Sequence, residues 1–498
     1  MRRLRFSDRP LKEAILIFLN VLYTLIVFWL AIYGLNAFVL IGLYLRNRHR
    51  CEPLPSLVEY PSVTVQLPVY NEKYVIRRAI EHLVRLDWPP DRLQIQIVDD
   101  STDETTALAR QLVTQYQEQG VDIQLIHRDV RSGFKAGALN AALEQTRGEF
   151  IAIFDADFCP RPDFLRQTVP YLVANPTLGF VQGRWGHLNA DHSLLTRAQA
   201  LALDAHHLIE HTARCWAGLA NFSGTGGVWR AACIRDCGGW SPKVLTEDVD
   251  LGYRAQLRGW KGLMLPAVVS PAELPDGIAA LKQQQFRWAK GNVQCLLKLG
   301  MPILKAPVSL LAKLQALIHL SYYLAHPLMI WLLLCALPLI WQGETAAFGP
   351  MVTTVLSLAT AGPPLLYLLA QYELGGDRWR RLRGLPVLIL LGTGLALNST
   401  AAVLETLLGI ETAFMRTPKV YDPKSMLEYS YRAQPGYLLG GELLLLLYAG
   451  LTVAAAVIRQ NWPALPFLSL YLAGLAFVIG LQMAAMWQYP KIMPETGR

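Results

Sequence analysis

Acidic residues gather at three places in the sequence, in spacings that suit work on a phosphorylated substrate. Asp99 and Asp100 close the stretch 93–98, Asp155 and Asp157 close the apolar run 150–154, and Glu247 and Asp248 follow Leu245-Thr246. In an extended chain, positions i and i+2 point the same way, so Asp155 and Asp157 present their carboxylates together. Two hard oxygen ligands at the carboxyl end of a strand suit a divalent cation, and such a cation neutralises a diphosphate. Standing alone, Asp155-Ala-Asp157 would be explained equally well as a solvated turn. Other polar groups accompany it. Tyr70 and Glu72 lie in Pro68-Val-Tyr-Asn-Glu72, and Lys135 lies in the stretch 131–140. The segment Phe222-Ser-Gly-Thr-Gly-Gly227, with Gly224 and Thr225, lets backbone approach a ligand closely, although a plain turn would look the same. Gln284, Gln285, Arg287 and Trp288 supply amides, a cation and an indole; an indole suits a sugar face and a guanidinium suits phosphate. An amphipathic juxtamembrane helix is the alternative there, and a helix N-cap at Thr246 is the alternative for Thr-Glu-Asp.

Strand-like segments at 63–67, 93–98, 123–126 and 150–154 alternate with helical patterns, which predicts a parallel sheet built by right-handed crossovers. The clusters at 70–72, 99–103, 135 and 155–157 all fall just past a strand or open the next helix. A parallel sheet gathers such loops along one edge, where a nucleotide binds in folds of this kind.

The chain has 498 residues, 53% of them hydrophobic, and a formal charge of +8. Much of the positive charge flanks apolar segments, which favours anionic lipid headgroups over nucleic acid, and no nucleic-acid motif is present. Arg2, Arg3, Arg5, Arg9 and Lys12 precede a charge-free run, 14–45, too long for a signal-peptide core and long enough to cross a bilayer once. Seven cysteines are scattered. Cys233 and Cys237 near His206, His207 and His211 raise zinc, but no Cys-x-x-Cys pair supports it, and reduced thiols facing a cytosol fit better. After an interfacial stretch, 296–314, the runs 314–343 and 346–372 form a predicted helical hairpin. Arg378-Trp-Arg-Arg-Leu-Arg383 sets its cytoplasmic side. Further spans fall at 438–458, which contains Glu442, and at 463–487. The segment 384–404, with Asn398 and several glycines, is predicted interfacial or re-entrant, giving five crossings, with six as the alternative.

Asp-Asp-Ser at 99–101, Asp-Ala-Asp at 155–157, Thr-Glu-Asp at 246–248 and Gln284-Gln-Phe-Arg-Trp288 follow one another in the order and spacing of a known pattern. With them the chain resembles the processive family-2 glycosyltransferases of the cellulose synthase superfamily. Pro68-Val-Tyr-Asn-Glu72, Phe134-Lys-Ala-Gly-Ala-Leu-Asn140 and Gln285-Phe-Arg-Trp-Ala-Lys-Gly291 look closest to the mannan and glucomannan synthases and their bacterial relatives. The resemblance implies an α/β, GT-A-like fold with a Rossmann-type nucleotide-binding sheet, joined to an α-helical transmembrane bundle. Its expected divisions are a transmembrane helix in 1–50, a cytosolic domain in 51–295, and interfacial and membrane helices in 296–498. It implies that Tyr70, Glu72, Asp99 and Asp100 bind the nucleoside of a nucleotide sugar, that Lys135 and Arg287 meet the diphosphate, and that Asp155 and Asp157 hold Mg2+ or Mn2+. Asp248, beside Glu247, would be the general base, and Trp288, Gln284, Gln285, Gly224 and Thr225 would receive the acceptor. Phe414-Met-Arg-Thr-Pro-Lys419 resembles the family's gating loop, Phe-x-Val-Thr-x-Lys, within 411–425; Phe414, Thr417 and Lys419 match, and Arg416 replaces the Val. The implied activity is inverting transfer of hexose from GDP-mannose or UDP-glucose to a growing β-glycan at a bacterial-type inner cell membrane, with a cytoplasmic catalytic domain. A non-processive glycolipid synthase of the ceramide or diacylglycerol glucosyltransferase type is the second reading, and a transporter or receptor with a degenerate nucleotide fold is the third. The resemblance leaves accessory subunits unspecified.

Overall fold

The computed structural model describes residues 8–50, 53–343, 349–412 and 438–488. Seven strands form one sheet: β1 (Val63–Val69), β2 (Leu93–Asp99), β3 (Ile123–His127), β4 (Phe150–Ile153), β5 (Leu178–His187), β6 (Gly227–Arg230) and β7 (Lys261–Ala272). Their order across the sheet is β3-β2-β1-β4-β6-β5-β7. All pairings are parallel except those of β6, which runs against β4 on one side and β5 on the other. The carboxyl ends of the parallel strands therefore share one edge. Because β6 is reversed, the chain entering it reaches that same edge: Gly227 pairs with Ile153, so residues 221–226 arrive beside Asp155.

Alternation in β1 and β2 does not mean a wet face. Val63, Val65, Ile95 and Ile97 enter the apolar core, while Thr64, Gln66, Gln94 and Gln96 are also buried. The parallel register puts Thr64 against Gln94 and Gln66 against Gln96. Each pair is hydrogen-bonded, at 2.8 and 3.0 Å, which offsets the cost of burying them.

The N-terminal helix Asp8–Asn47 runs unbroken through the charge-free segment. Among the described residues, five stretches of helix are long and apolar enough to cross a membrane: Leu11–Asn47, Leu310–Trp341, Pro350–Leu374, Leu439–Ile458 and Trp462–Trp487. A pair bent by 42°, Arg378–Gly394 and Ala396–Leu407, would make a sixth. That bend falls in the segment expected to be interfacial or re-entrant. The helix Ile278–Lys305 differs from the sequence expectation, because it continues through residue 295 without a break. The segment carrying Gln284 to Trp288 and the expected interfacial stretch are thus partly one rigid rod. It packs on Ala396–Leu407, tying the sheet domain to the apolar helices. Most of the expected gating loop, including Phe414, Arg416, Thr417 and Lys419, lies outside the described residues.

Candidate active site

A cavity of about 500 Å³ opens along the carboxyl edge of the sheet. Its wall carries Tyr70, Glu72, Asp100, Lys135, Asp155, Asp157, Gly224, Glu247, Asp248, Gln284, Gln285, Arg287 and Trp288. Residues separated by more than 200 positions in sequence are thus brought to one space by the strand order.

Lys135 sits at the centre of the acidic group. Its ammonium donates to Asp155 Oδ1 at 2.7 Å and to the Gly224 carbonyl at 3.0 Å, with Glu247 Oε1 at 3.7 Å. Burial works against the charge of this lysine, but Asp155 and Glu247 outweigh it and raise its pKa. Asp248 responds in the opposite sense to the usual carboxylate. Burial and the like charge of Glu247 push it up to about 7, against the pull of Lys135. Such a value suits a group that must accept a proton near neutrality.

Local folding explains the placement. Thr246 occupies the N-cap of helix Glu247–Leu257 but makes no side-chain cap; its hydroxyl lies 3.5 Å from Cys295 Sγ. Glu247, Asp248 and Asp250 fill the first turn, where the helix N-terminus tolerates negative charge. Gly224 has φ +78°, and a Cβ there would lie 2.8 Å from Asp248 Oδ2. The residue is therefore glycine for two reasons, conformation and contact.

Two expected residues, Asp99 and Thr225, do not face the cavity. Asp99 is fully buried, its Oδ1 accepting the Ser101 amide and its Oδ2 accepting from Thr106 and His127. It braces the loop from beneath. Its neighbour Asp100 reaches the cavity but is held by Arg128, which donates through Nε and Nη2 at 2.7 and 2.6 Å. Thr225 also turns inward and accepts from the Asp155 amide at 2.9 Å, fixing the turn that carries the two aspartates. Arg131 went unassigned in the sequence. Its guanidinium lies 3.5 Å from the centre of the Tyr70 ring, making a flat cationic platform beside Asp100. The one sequence signal for it was its place at the head of the Lys135 segment.

Asp155 and Asp157 suit a divalent metal by chemistry. Both are oxygen donors, and Asp155 already holds a cation in the Lys135 ammonium. Among the described residues no group of three or more His, Cys, Asp or Glu is placed to hold a metal ion. Two carboxylates with diphosphate and water completing the shell is the arrangement that Mg2+ commonly takes.

Comparison with known proteins agrees with this architecture. Residues 61–291 match the model of "Glycosyltransferase like family 2". Glucomannan 4-beta-mannosyltransferase 1 of Oryza sativa subsp. japonica is 39% identical over 270 residues, 52% of each chain. Glucomannan 4-beta-mannosyltransferase 7 of Arabidopsis thaliana is 41% identical over 252 residues, 50% of this chain and 45% of that one. The chain spans about half the length of these curated relatives. In structure it is similar to the mannosyltransferase PcManGT from Pyrobaculum calidifontis, solved with GDP-Man and Mn2+. The TM-score is 0.53 at 22% identity, over 78% of this chain and all of that one, a likeness of fold. With its mixed seven-stranded sheet and its acidic motifs in place, the stretch 61–291 is similar to glycosyltransferase-like family 2, a match over just under half of the chain.

Proposed function

We propose that this protein is a membrane-bound, inverting hexosyltransferase that extends a β-linked glycan, with GDP-mannose as its donor. The observation that carries the reading is the single cavity in which Asp155, Lys135, Glu247 and Asp248 meet Trp288 and the apolar helices. The curated relatives, glucomannan 4-beta-mannosyltransferases at about 40% identity, favour mannose over glucose.

The stack of Arg131 on Tyr70 offers a surface for the base, and Lys135 and Arg287 lie where diphosphate charge would collect. A divalent cation at Asp155 and Asp157, Mg2+ or Mn2+, would supply charge neutralisation for the departing nucleoside diphosphate. Trp288 presents an indole to the acceptor sugar. Asp248 takes the proton from the acceptor hydroxyl as its oxygen bonds to the anomeric carbon and the bond to the diphosphate breaks. Attack opposite the leaving group inverts the centre, so an α-linked donor gives a β-glycoside. The basic segment 378–383, by the positive-inside rule, supports a cytoplasmic side for this domain in a multi-pass inner-membrane enzyme.

Membranes carrying the protein, incubated with labelled GDP-mannose or UDP-glucose, test the reading. Mannose-containing polymer from GDP-mannose, lost in excess chelator, is the expected result. A single-sugar lipid product would favour the glycolipid synthase, and full turnover with chelator would remove the metal from Asp155 and Asp157.

A further inference from the structure

Beyond the acidic cluster the cavity continues towards the apolar helices, and one element of its wall has no part in the chemistry above. Helix Leu194–Ala205 passes through a π-helical turn, His206–His211, before resuming as Thr212–Ala217. Such turns sacrifice regular hydrogen bonding and re-aim side chains, and they recur at functional sites. Here His206, His207, Glu210 and His211 all line the cavity. The ring centres of His206 and His211 are 4.3 Å apart, and those of His207 and His211 are 4.9 Å apart.

The charges in this region are already matched. Glu210 accepts from His206 at 2.9 Å and from Arg214 at 3.2 Å, and Arg184 lies 3.6 Å from Asp204. His207 and His211 are different. They are 1% and 2% exposed, and the Nδ1 atoms of both have no hydrogen-bond partner among the described residues. Buried polar nitrogens are rarely left in that state, because their lost hydration goes uncompensated. Burial, reinforced by His206 and the nearby arginines, holds both imidazoles well below the ordinary histidine range, so they are neutral. A neutral imidazole offers one N–H and one lone pair, and a sugar hydroxyl both donates and accepts. Trp185 lies against His207, its ring centre 4.8 Å away, and adds an apolar face to the same wall.

The position relative to the base is fixed by the chain. The His319 ring centre lies 6.5 Å from that of His206, Asn221 bonds His319 at 2.9 Å, and Gly224 abuts Asp248. The three residue steps between them span at most about 11 Å, within reach of a short run of sugar rings. We propose that His207 and His211 form a subsite for the hydroxyls of a neutral acceptor sugar, on the membrane side of the acidic cluster. The subsite rests on the reading of the protein as a glycan-extending enzyme.

The test uses membranes with the full chain, GDP-mannose, and soluble β-1,4-mannotetraose as the acceptor probe. In His207→Ala and His211→Ala the KM for mannotetraose should rise about five- to ten-fold, the effect of one lost neutral hydrogen bond. The KM for GDP-mannose and the rate of GDP release to water should stay at wild-type values. His211→Gln, which keeps a donor and an acceptor, should recover most of the loss. An unchanged acceptor KM, or a parallel change in donor KM and hydrolysis, would overturn the subsite while leaving the glycan reading intact. A wild type that releases GDP yet extends no oligosaccharide would overturn that reading, and the subsite with it.

Discussion

Asp248 and Gly224 act as one unit, since the missing Cβ of the glycine is the space that the carboxylate occupies. Two predictions belong to this pair. As the proposed general base, Asp248 must be unprotonated, and kcat/KM reports the free enzyme, so its pH profile should show an acid limb centred near 7. Below that midpoint the rate should fall about ten-fold per pH unit. Glu247 raises the Asp248 pKa by its like charge, so Glu247→Gln should move the limb to lower pH. A limb that stays in place would mean that another group titrates. Gly224→Ala would put a methyl group against Asp248 at a positive φ, and a displaced base costs on the order of 10²-fold in rate. Initial rates at saturating donor measure this, and wild-type turnover would remove Asp248 from the role.

Helices set the alignment of the site through a buried polar network. Lys282, two residues before Gln284 on the same helix, donates to Glu442 Oε1 at 2.5 Å and to Gln482 at 2.9 Å. Gln482 in turn donates to Glu442 Oε2 at 2.7 Å, and Asn398 donates to the Lys282 carbonyl at 2.9 Å. Glu442 is thus the partner of a lysine rather than a stray charge in an apolar run. Removing one member of a buried pair strands the other, at a cost of about 3–5 kcal/mol, whereas removing both can be nearly neutral. Lys282→Met should therefore lower thermal stability in detergent sharply, and Lys282→Met with Glu442→Met should recover much of it. Equal melting temperatures for the single variant and the wild type would show that the pair contributes nothing. Close helix packing adds to this frame. A Cβ at Gly34 would lie 2.3 Å from the Ala359 carbonyl, so the N-terminal helix and Pro350–Leu374 touch backbone to backbone.

The whole molecule places Trp288 and a run of apolar helices around one continuous cavity, and in the proposed reading product length is the property that depends on both. The Tyr323 hydroxyl donates to Gln285 at 3.2 Å, so the helix bearing Trp288 is tied to the aromatic turn of a stretch long and apolar enough to cross a membrane. Trp288→Ala should shorten the polymer, because acceptor stacking is worth about 0.5–1.5 kcal/mol, while GDP-mannose hydrolysis to water continues. Sizing the labelled product against GDP released separates these effects. Undiminished length in Trp288→Ala would take the acceptor away from this residue.

The sequence by itself determined the strand–helix alternation, the apolar spans and the acidic motifs, because each is a local pattern of period or spacing. It also placed Asp155, Asp157, Lys135, Glu247 and Asp248 near strand or helix ends, and the structure brings all five to one cavity. What only the tertiary structure decided is which way particular side chains turn. Adjacent residues at a strand end point apart, so one of Asp99 and Asp100 had to face inward, and nothing local says which. The same holds for Gly224 and Thr225, where the reversed β6 turns the threonine under Asp155. Arg131 on Tyr70, Lys282 with Glu442, and the histidines of the π-helical turn each depend on partners from other elements. Such pairings are products of packing, and sequence spacing does not show which residues pair.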